Sequence, residues 1–241
     1  AIDAGADAIY LGLGAFNARI NADNFTLLQL QDGCHYAHRR SSKVYLTLNT
    51  LVNDYEIDDA ITTAVSAYEA GVDGFIVQDI GLANKLKSLY PDFNIIASTQ
   101  MNVFSSDQFK SLKENGYSRV VLPRELSLSE IRERTKVAKR YGLETEVFAH
   151  GAVCVCASGL CLFSSMNKSG SRSGNRGLCA QPCRQQYSLV SNEGILKTGH
   201  LLSPKDRSII PYLSDIIASG VSSLKIEGRM RDVDYVVCAT K

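Results

Sequence analysis

The chain has 241 residues, of which 45% are apolar and 21% charged, and its formal net charge at pH 7 is +1. This composition is ordinary for a soluble globular protein. The near-zero charge gives no overall basic signature for nucleic acid or a membrane surface, and no apolar run approaches the ~20 residues needed to cross a bilayer. The length suffices for one large α/β domain with a substantial core, or for two small ones.

The first residues, AIDAGADAIYLG, include no initiator Met and start inside a helical pattern. They resemble neither a signal peptide nor a tail. We therefore interpret the chain as truncated at its N-terminus, with the first strand of the fold missing. The absence of a targeting signal is then only weak evidence for a cytoplasmic location, which is nevertheless what we expect.

One pattern recurs four times, and in each copy a helix ends on a glycine. Glycine tolerates the left-handed geometry of a helix cap, and a short apolar run follows it. This order is typical of a helix that leads into a buried parallel strand. The glycines are Gly5, Gly71, Gly116 and Gly220, and three further strands are predicted over residues 43–49, 94–99 and 144–150.

Helical patterns alternate with these strands. Residues 54–71 place apolar side chains on one helical face. Another helix is predicted to begin at Pro204, with Ser203 as its cap. Two helices between them are predicted from capping boxes, Ser105 with Gln108 and Ser127 with Glu130.

Seven β/α units and one lost strand predict a TIM-barrel-like (β/α)₈ barrel that lacks its first strand. A doubly wound open sheet is the alternative, because alternation alone does not separate the two folds. We predict one barrel domain over residues 1–241. Residues 151–202 interrupt the alternation as an insertion after the strand at 144–150, the seventh strand of the full barrel. The insertion contains a cysteine-rich loop and a hairpin around Asn192 to Gly194.

Polar and charged side chains follow the ends of the predicted strands. Barrel enzymes carry out their chemistry at the carboxyl ends of the strands, so these residues predict a polar site in the barrel mouth. A capping residue or a surface ion pair is the plain alternative for any one of them. Three arginines would suit an anionic ligand, because guanidinium binds carboxylate or phosphate with two parallel hydrogen bonds. The candidates are Asn17, Arg19, Asn49, Gln100, Arg124, Glu125, His150, Glu227 and Arg229.

Five of the seven cysteines lie between residues 146 and 184. Cys34 and Cys238 are remote from them in sequence, and we interpret both as buried structural thiols. A set of disulfides among these five cysteines is one interpretation, although a barrel of this size does not need disulfides for stability. Structural zinc and a nucleophilic cysteine with His150 as its base are two others.

An iron–sulfur cluster is the reading that the residues favour. It takes four thiolates from a flexible loop and tolerates irregular spacing. The segment SMNKSGSRSGNRG is rich in glycine and serine and can donate backbone N–H groups to sulfur. Lys168, Arg172 and Arg176 lie in it and would offset the charge of a cluster.

The segment EVFAHGAVCVCASGLCLFSS resembles the signature of the collagenase-like peptidase U32 family. Within that family, SGNRGLCAQPCR and SGVSSLKIEGR most resemble the branch that hydroxylates cytidine in large-subunit ribosomal RNA. Sister branches hydroxylate tRNA uridine or act in ubiquinone synthesis. The resemblance covers essentially the whole chain.

The resemblance implies a TIM-barrel-like fold, an RNA substrate (rRNA or tRNA) and a 4Fe–4S cluster. It also implies prephenate as the hydroxyl source, a small anion whose carboxylates would meet Arg19, Arg124 and Arg229. Cys156 departs from the pattern, since relatives usually carry another residue there. A protein partner is unknown, and no membrane is expected. The implied cluster ligands are Cys154, Cys161, Cys179 and Cys183.

The catalytic roles follow from these expectations. His150 would carry a proton or hydrogen-bond the substrate. Glu125 and Glu227 would position arginines or act as acid and base, while Asn17, Asn49 and Gln100 would contact substrate. A peptidase with a thiol or a metal is the alternative, although the sequence shows neither a Ser–His–Asp arrangement nor His-Glu-x-x-His. A non-enzymatic electron-transfer or assembly role is a third possibility.

Overall fold

The computed structural model describes residues 1–166, 172–228 and 230–241. Helices and strands alternate along most of it, with a long irregular stretch between the sixth and seventh strands. The strands are β1 Ala8–Leu11, β2 Lys43–Leu48, β3 Gly74–Val77, β4 Ile95–Ala97, β5 Tyr117–Val121, β6 Glu144–Gly151, β7 Tyr187–Ser191, β8 Gly194–Gly199, β9 Arg207–Ser208 and β10 Ser223–Glu227. The helices are α1 Leu27–His38, α2 Ile57–Glu69, α3 Ile80–Leu89, α4 Ser106–Glu114, α5 Leu128–Arg140, α6 Phe163–Met166, α7 Leu213–Ala218 and α8 Val233–Thr240.

Seven strands form one parallel sheet in the order β1-β2-β3-β4-β5-β6-β10. All seven are those that the sequence predicts. The order rises steadily along the chain, whereas a doubly wound sheet reverses at a switch point. The sheet is therefore TIM-barrel-like, and the doubly wound alternative is wrong.

The sheet buries apolar side chains on both faces, which explains its nearly continuous apolar strands. On β3, Phe75 belongs to the large core between the sheet and the helices. Its neighbour Ile76 belongs to a small core on the concave face. Adjacent strand residues point to opposite faces, so the same strand supplies both cores. The concave core underlies the site described below.

Local signals place most of the helices correctly. Gly71 and Gly116 have φ of +104° and +77°, the left-handed geometry expected of glycines that end helices. The predicted capping boxes begin α4 and α5. The predicted hairpin is present as β7 and β8. Within the described residues, no helix has both the length and the apolar character that crossing a membrane requires.

Two predictions are wrong. No helix begins at Pro204; instead β9 pairs antiparallel with the end of β6, and α7 begins only at Leu213. The Arg207 guanidinium donates to the Arg124 carbonyl at 2.5 Å, so a distant partner overrides the local helix signal. Cys238, predicted to be buried, is exposed. Val236 is the residue of α8 that lies against Gly228, and the helical period places Cys238 on a different side of the helix.

Candidate active site

A cavity of about 480 Å³ opens at the carboxyl ends of the strands. Its floor is the concave core of the sheet, and its roof is the cysteine-rich segment that follows β6. Side chains from separate strands and from the insertion therefore meet in one space. The predicted site residues that line it are Arg19, Asn49, Gln100, Arg124, Glu227, Cys154, Cys161, Cys179 and Cys183.

Hydrogen-bond donors face the sulfur of Cys179. The backbone N–H of Gln181 lies 3.4 Å from the sulfur, and the Ser164 hydroxyl lies 3.9 Å from it. Ser164 is itself buried and accepts the N–H of Ala180 at 3.0 Å. Donors aimed at sulfur stabilise a thiolate, which is the form that binds metal.

The thiols also interact electrostatically. Burial raises the pKa of the Cys183 thiol, and negative charge at Cys154 raises it further. Cys179 and Cys161 act on it in the same direction. The Cys183 thiol therefore feels negative charge at the three other predicted ligands, and a cationic group placed among them would offset that repulsion.

The fifth thiol belongs to the same group. Burial raises the pKa of Cys156, and Cys161 raises it further through its charge and a side-chain hydrogen bond. Cys156 lines the cavity as well. It stands next to the predicted ligands and is not needed to complete a set of four.

The arrangement of the thiols determines which group they could hold. Among the described residues, no three His, Cys, Asp or Glu side chains converge on the position of a single metal ion. A 4Fe–4S cluster presents four separate iron corners, one for each thiolate. Four thiols that line one cavity, with N–H and O–H donors to the sulfur of Cys179, fit that chemistry.

The segment that carries Cys154 and Cys161 is anchored by the ends of β4 and β5. The Glu125 carboxylate accepts the Ser158 N–H at 2.9 Å and its hydroxyl at 3.1 Å. Ser158 is fully buried, and its hydroxyl also accepts from Arg124 Nε at 3.2 Å. Gly159 has φ of +72°, and a Cβ there would stand 1.9 Å from the Gln100 carbonyl oxygen. Only glycine permits this approach.

The segment before Cys179 is anchored by the ends of β1 and β2. At Gly177, a Cβ would stand 2.3 Å from the Asn17 carbonyl oxygen. The Leu51 N–H donates to the Asn175 carbonyl at 3.0 Å. Arg176 forms an ion pair with Glu56 at 2.6 Å. Both thiol-bearing segments are thus fixed to the strand ends by specific polar contacts.

Several predicted substrate contacts take part in this anchoring. Asn17 is fully buried, and its side chain accepts the Arg19 N–H at 2.9 Å. Asn49 accepts the Ala18 N–H at 3.0 Å, and Gln100 donates to the Asn49 carbonyl at 2.8 Å. The catalytic role of Glu125 and the substrate contacts of these amides stay predictions.

Two arginines reach the cavity from different strands. Arg19 lies 3.8 Å from Glu227, and Arg124 follows β5. Glu227 lines the cavity, and its Oε1 is buried without a hydrogen-bond partner among the residues described. Arg229 and Lys168 lie outside the described residues.

His150 stands beside the main cavity, in a small recess that Arg124, Phe148 and Arg207 share. Its ring packs against Tyr235, with 5.6 Å between the ring centroids. Among the described residues, no hydrogen bond joins it to a thiol. Its proposed role in proton transfer stays a prediction.

Sequence reasoning missed three residues of the site. Ser158 anchors the first thiol-bearing segment, and Arg207 stands in the recess beside His150. Lys225 lies on the cavity floor, from the middle of β10. A lysine between the apolar residues Leu224 and Ile226 is a signal that was readable, because Lys225 and Glu227 alternate onto one face of the strand.

The fold and site define a TIM-barrel-like protein with a thiol-lined cavity at the carboxyl ends of its strands. The family model for peptidase family U32 matches residues 1–241, and the chain belongs to that family. A U32 peptidase of known structure shares the fold, with a TM-score of 0.51 and 15% identity over 63% of this chain and 65% of that one.

Curated relatives carry different names. The 23S rRNA 5-hydroxycytidine C2501 synthase of Escherichia coli is 40% identical over 96% of this chain and 34% of its own length. An uncharacterized protease of Methanocaldococcus jannaschii is 40% identical over 100% of this chain and 60% of its own. The tRNA hydroxylation protein P1 of Bacillus subtilis is 34% identical over 98% of this chain and 57% of its own. The chain thus spans between about a third and three fifths of these relatives.

Proposed function

We propose that this protein takes part in hydroxylating a nucleobase in RNA, with 5-hydroxycytidine in 23S rRNA as the product. The observation that carries the proposal is the group of four thiols around a cavity that also contains arginines. The relative named as a 5-hydroxycytidine synthase supports the choice of base. The relative named as a tRNA hydroxylation protein makes tRNA uridine the nearest alternative, and hydroxylation in ubiquinone synthesis follows it.

Cys154, Cys161, Cys179 and Cys183 would hold a 4Fe–4S cluster, which would supply one-electron redox chemistry next to the bound substrate. Gln181 N–H and the Ser164 hydroxyl would stabilise the Cys179 thiolate. The anchored segments would keep the ligands in place without regular secondary structure.

Arg19 and Arg124 would bind the carboxylates of a small co-substrate, which we propose to be prephenate. Arg124 is held by Ser158, so its guanidinium is oriented before a ligand arrives. Glu227, which lines the cavity, would accept a hydrogen bond from the same ligand. His150 would move a proton at the edge of the cavity. RNA would approach from the open side, in the cytoplasm.

A peptidase is the second candidate, favoured by the family name and by one relative's name. A thiol nucleophile needs a base within about 3 Å. His150 makes no such hydrogen bond among the described residues, and its recess adjoins the main cavity instead. A peptidase mechanism therefore requires His150 to move toward a thiol, whereas the hydroxylase mechanism does not require this movement.

The test is RNA mass spectrometry on a strain that lacks the gene. We expect it to lose an rRNA base that is one oxygen atom heavier than cytosine, and the Cys179→Ala variant not to restore it. Cys238→Ala is the matched control, because Cys238 is exposed and does not line the cavity, and it should restore the base. Iron analysis of the anaerobically purified protein should give about four irons per chain.

An unchanged nucleoside profile in the deletion strain would overturn the proposal. Loss of a modified tRNA uridine would transfer it to the alternative substrate. Hydrolysis of gelatin by protein stripped of iron would favour the peptidase.

A further inference from the structure

The floor of the cavity holds a lysine, Lys225, that has no role in the proposed function. Lys225 projects from β10 into the concave side of the sheet, and its side chain is 9% exposed. Its Nζ lies 4.2 Å from the centre of the Tyr10 ring and 5.9 Å from that of Phe148. All three residues line the cavity. A lysine this deeply buried needs a partner, because desolvation of an ammonium group is costly.

The partner is Glu146, whose Oε1 accepts from Lys225 Nζ at 2.9 Å. The other oxygen of Glu146 accepts the Ser223 hydroxyl at 2.9 Å and lies 3.4 Å from Arg119 NH1. Burial opposes ionisation of this carboxyl, but the charge of Lys225, and after it that of Arg119, holds its pKa below the usual range. Glu146 is therefore a shared anion and does not serve Lys225 alone.

These groups form a chain of alternating charge through the concave side of the sheet. Glu144 is 54% exposed at one end and binds Arg119 Nε at 2.7 Å. Glu146 comes next, and Lys225 ends the chain at the cavity. The chain is neutral as a whole, but the end that a ligand meets is a cation.

Lys225 retains hydrogen-bonding capacity toward that ligand. An ammonium group has three N–H donors. Among the described residues, Glu146 is its single hydrogen-bond acceptor. The face of Tyr10 favours the charge of the ammonium but accepts no conventional hydrogen bond. The walls around it, from Ile76, Val121 and Phe148, are apolar, so an anion reaching the floor would meet a strong field.

We propose that Lys225 binds a carboxylate of the small co-substrate at the floor of the cavity, while Arg19 and Arg124 bind at its mouth. This inference rests on the proposed function, since it assigns a further binding residue to the same site. It predicts a ligand with an apolar body between charged groups, because apolar walls separate the floor from the arginines.

The test measures the binding of two probes, prephenate and benzoate, by calorimetry on the anaerobic protein. The variant is Lys225→Met combined with Glu146→Gln, which removes the ion pair as a unit and leaves Arg119 paired with Glu144. We expect its affinity for the probes to fall about tenfold or more, as for loss of a charge-assisted hydrogen bond. Glu144→Gln, at the exposed end of the chain, is the matched control and should bind like the native protein.

Iron content and melting temperature establish that the double variant is folded. If it does not fold, Lys225→Arg replaces it, and it should alter the ratio of the two affinities, since a guanidinium does not fit the lysine's place. If benzoate binds in a way that depends on Lys225 while prephenate does not bind, the result would support Lys225 as a carboxylate-binding residue and contradict prephenate as the co-substrate. Equal affinities in native and variant protein, or no binding of either probe, would overturn the inference, whereas RNA mass spectrometry tests the proposed function separately.

Discussion

Strand β3 and the segment from Cys154 to Cys161 are held in place by different kinds of interaction. All four residues of β3 are buried, and the strand pairs with neighbours on both sides. The segment has no helix or strand and depends on Ser158, Gly159 and the backbone of Gln100. Apolar burial is non-directional and spread over many atoms, while the segment depends on a few exact distances. A substitution in the barrel should therefore lower the stability of the whole protein, whereas one in the thiol-bearing segments should disturb mainly the position of the thiols.

The largest effect on stability is expected in the barrel. Phe75→Ala removes a fully buried ring that packs 4.9 Å from the Phe93 ring, and it should lower the free energy of unfolding by about 3–5 kcal/mol. Denaturant unfolding measures this loss, and iron per folded chain should stay unchanged. Leu28→Ala is the control, because Leu28 is 69% exposed and its loss should cost under about 0.5 kcal/mol. A loss of iron in the Phe75 variant would contradict the separation of the two regions.

An intermediate effect on stability, with a large effect on iron, is expected at Gly159. Gly159→Ala places a Cβ against the Gln100 carbonyl and requires a left-handed backbone, so the segment must move. The purified variant should lose most of its iron, while its melting temperature falls by a few degrees at most, since the core is untouched. Gly14→Ala is the control, because a Cβ there meets nothing within 4 Å. Native iron content in the Gly159 variant would show that the anchoring is dispensable.

The smallest effect concerns the ion pair of Glu56 and Arg176. The hydrogen bond from Arg176, and with it the Asn53 N–H, lowers the pKa of Glu56. A lowered folded-state pKa means that the pair stabilises the protein above the unfolded pKa of about 4.3, and that this is lost as the pH falls through the lower folded value. A partly exposed pair contributes under about 1 kcal/mol.

Hydrogen exchange around residues 174–177 measures this effect. Below about pH 4.3, protection in the native protein should fall toward that of Glu56→Gln, which lacks the charge at every pH. If the difference in protection between the two proteins stays constant as the pH falls below about 4.3, the ion pair does not hold residues 174–177 in place.

The sequence predicts the regular part of the fold and only part of the site. Strands and helices follow from local periodicity, glycine caps and capping boxes, all within a few residues of one another. The placement of Cys154 and Cys179 around one cavity was predictable, because five cysteines lie between residues 146 and 184. The helix at Pro204 was wrong because the contact of Arg207 with Arg124 spans 83 positions. Ser158 was missed for the same reason, since its anchor at Glu125 lies 33 positions away.

The two ends of the sheet approach each other through a side chain. Tyr10 on β1 donates its hydroxyl to the Ile226 carbonyl on β10 at 3.4 Å, and its ring lies under the Lys225 ammonium. The Tyr10 side chain thus links the two edge strands, β1 and β10, where backbone hydrogen bonds would otherwise close the barrel. A ligand bound at Lys225 would therefore lie beside the residue that links the two edge strands of the sheet.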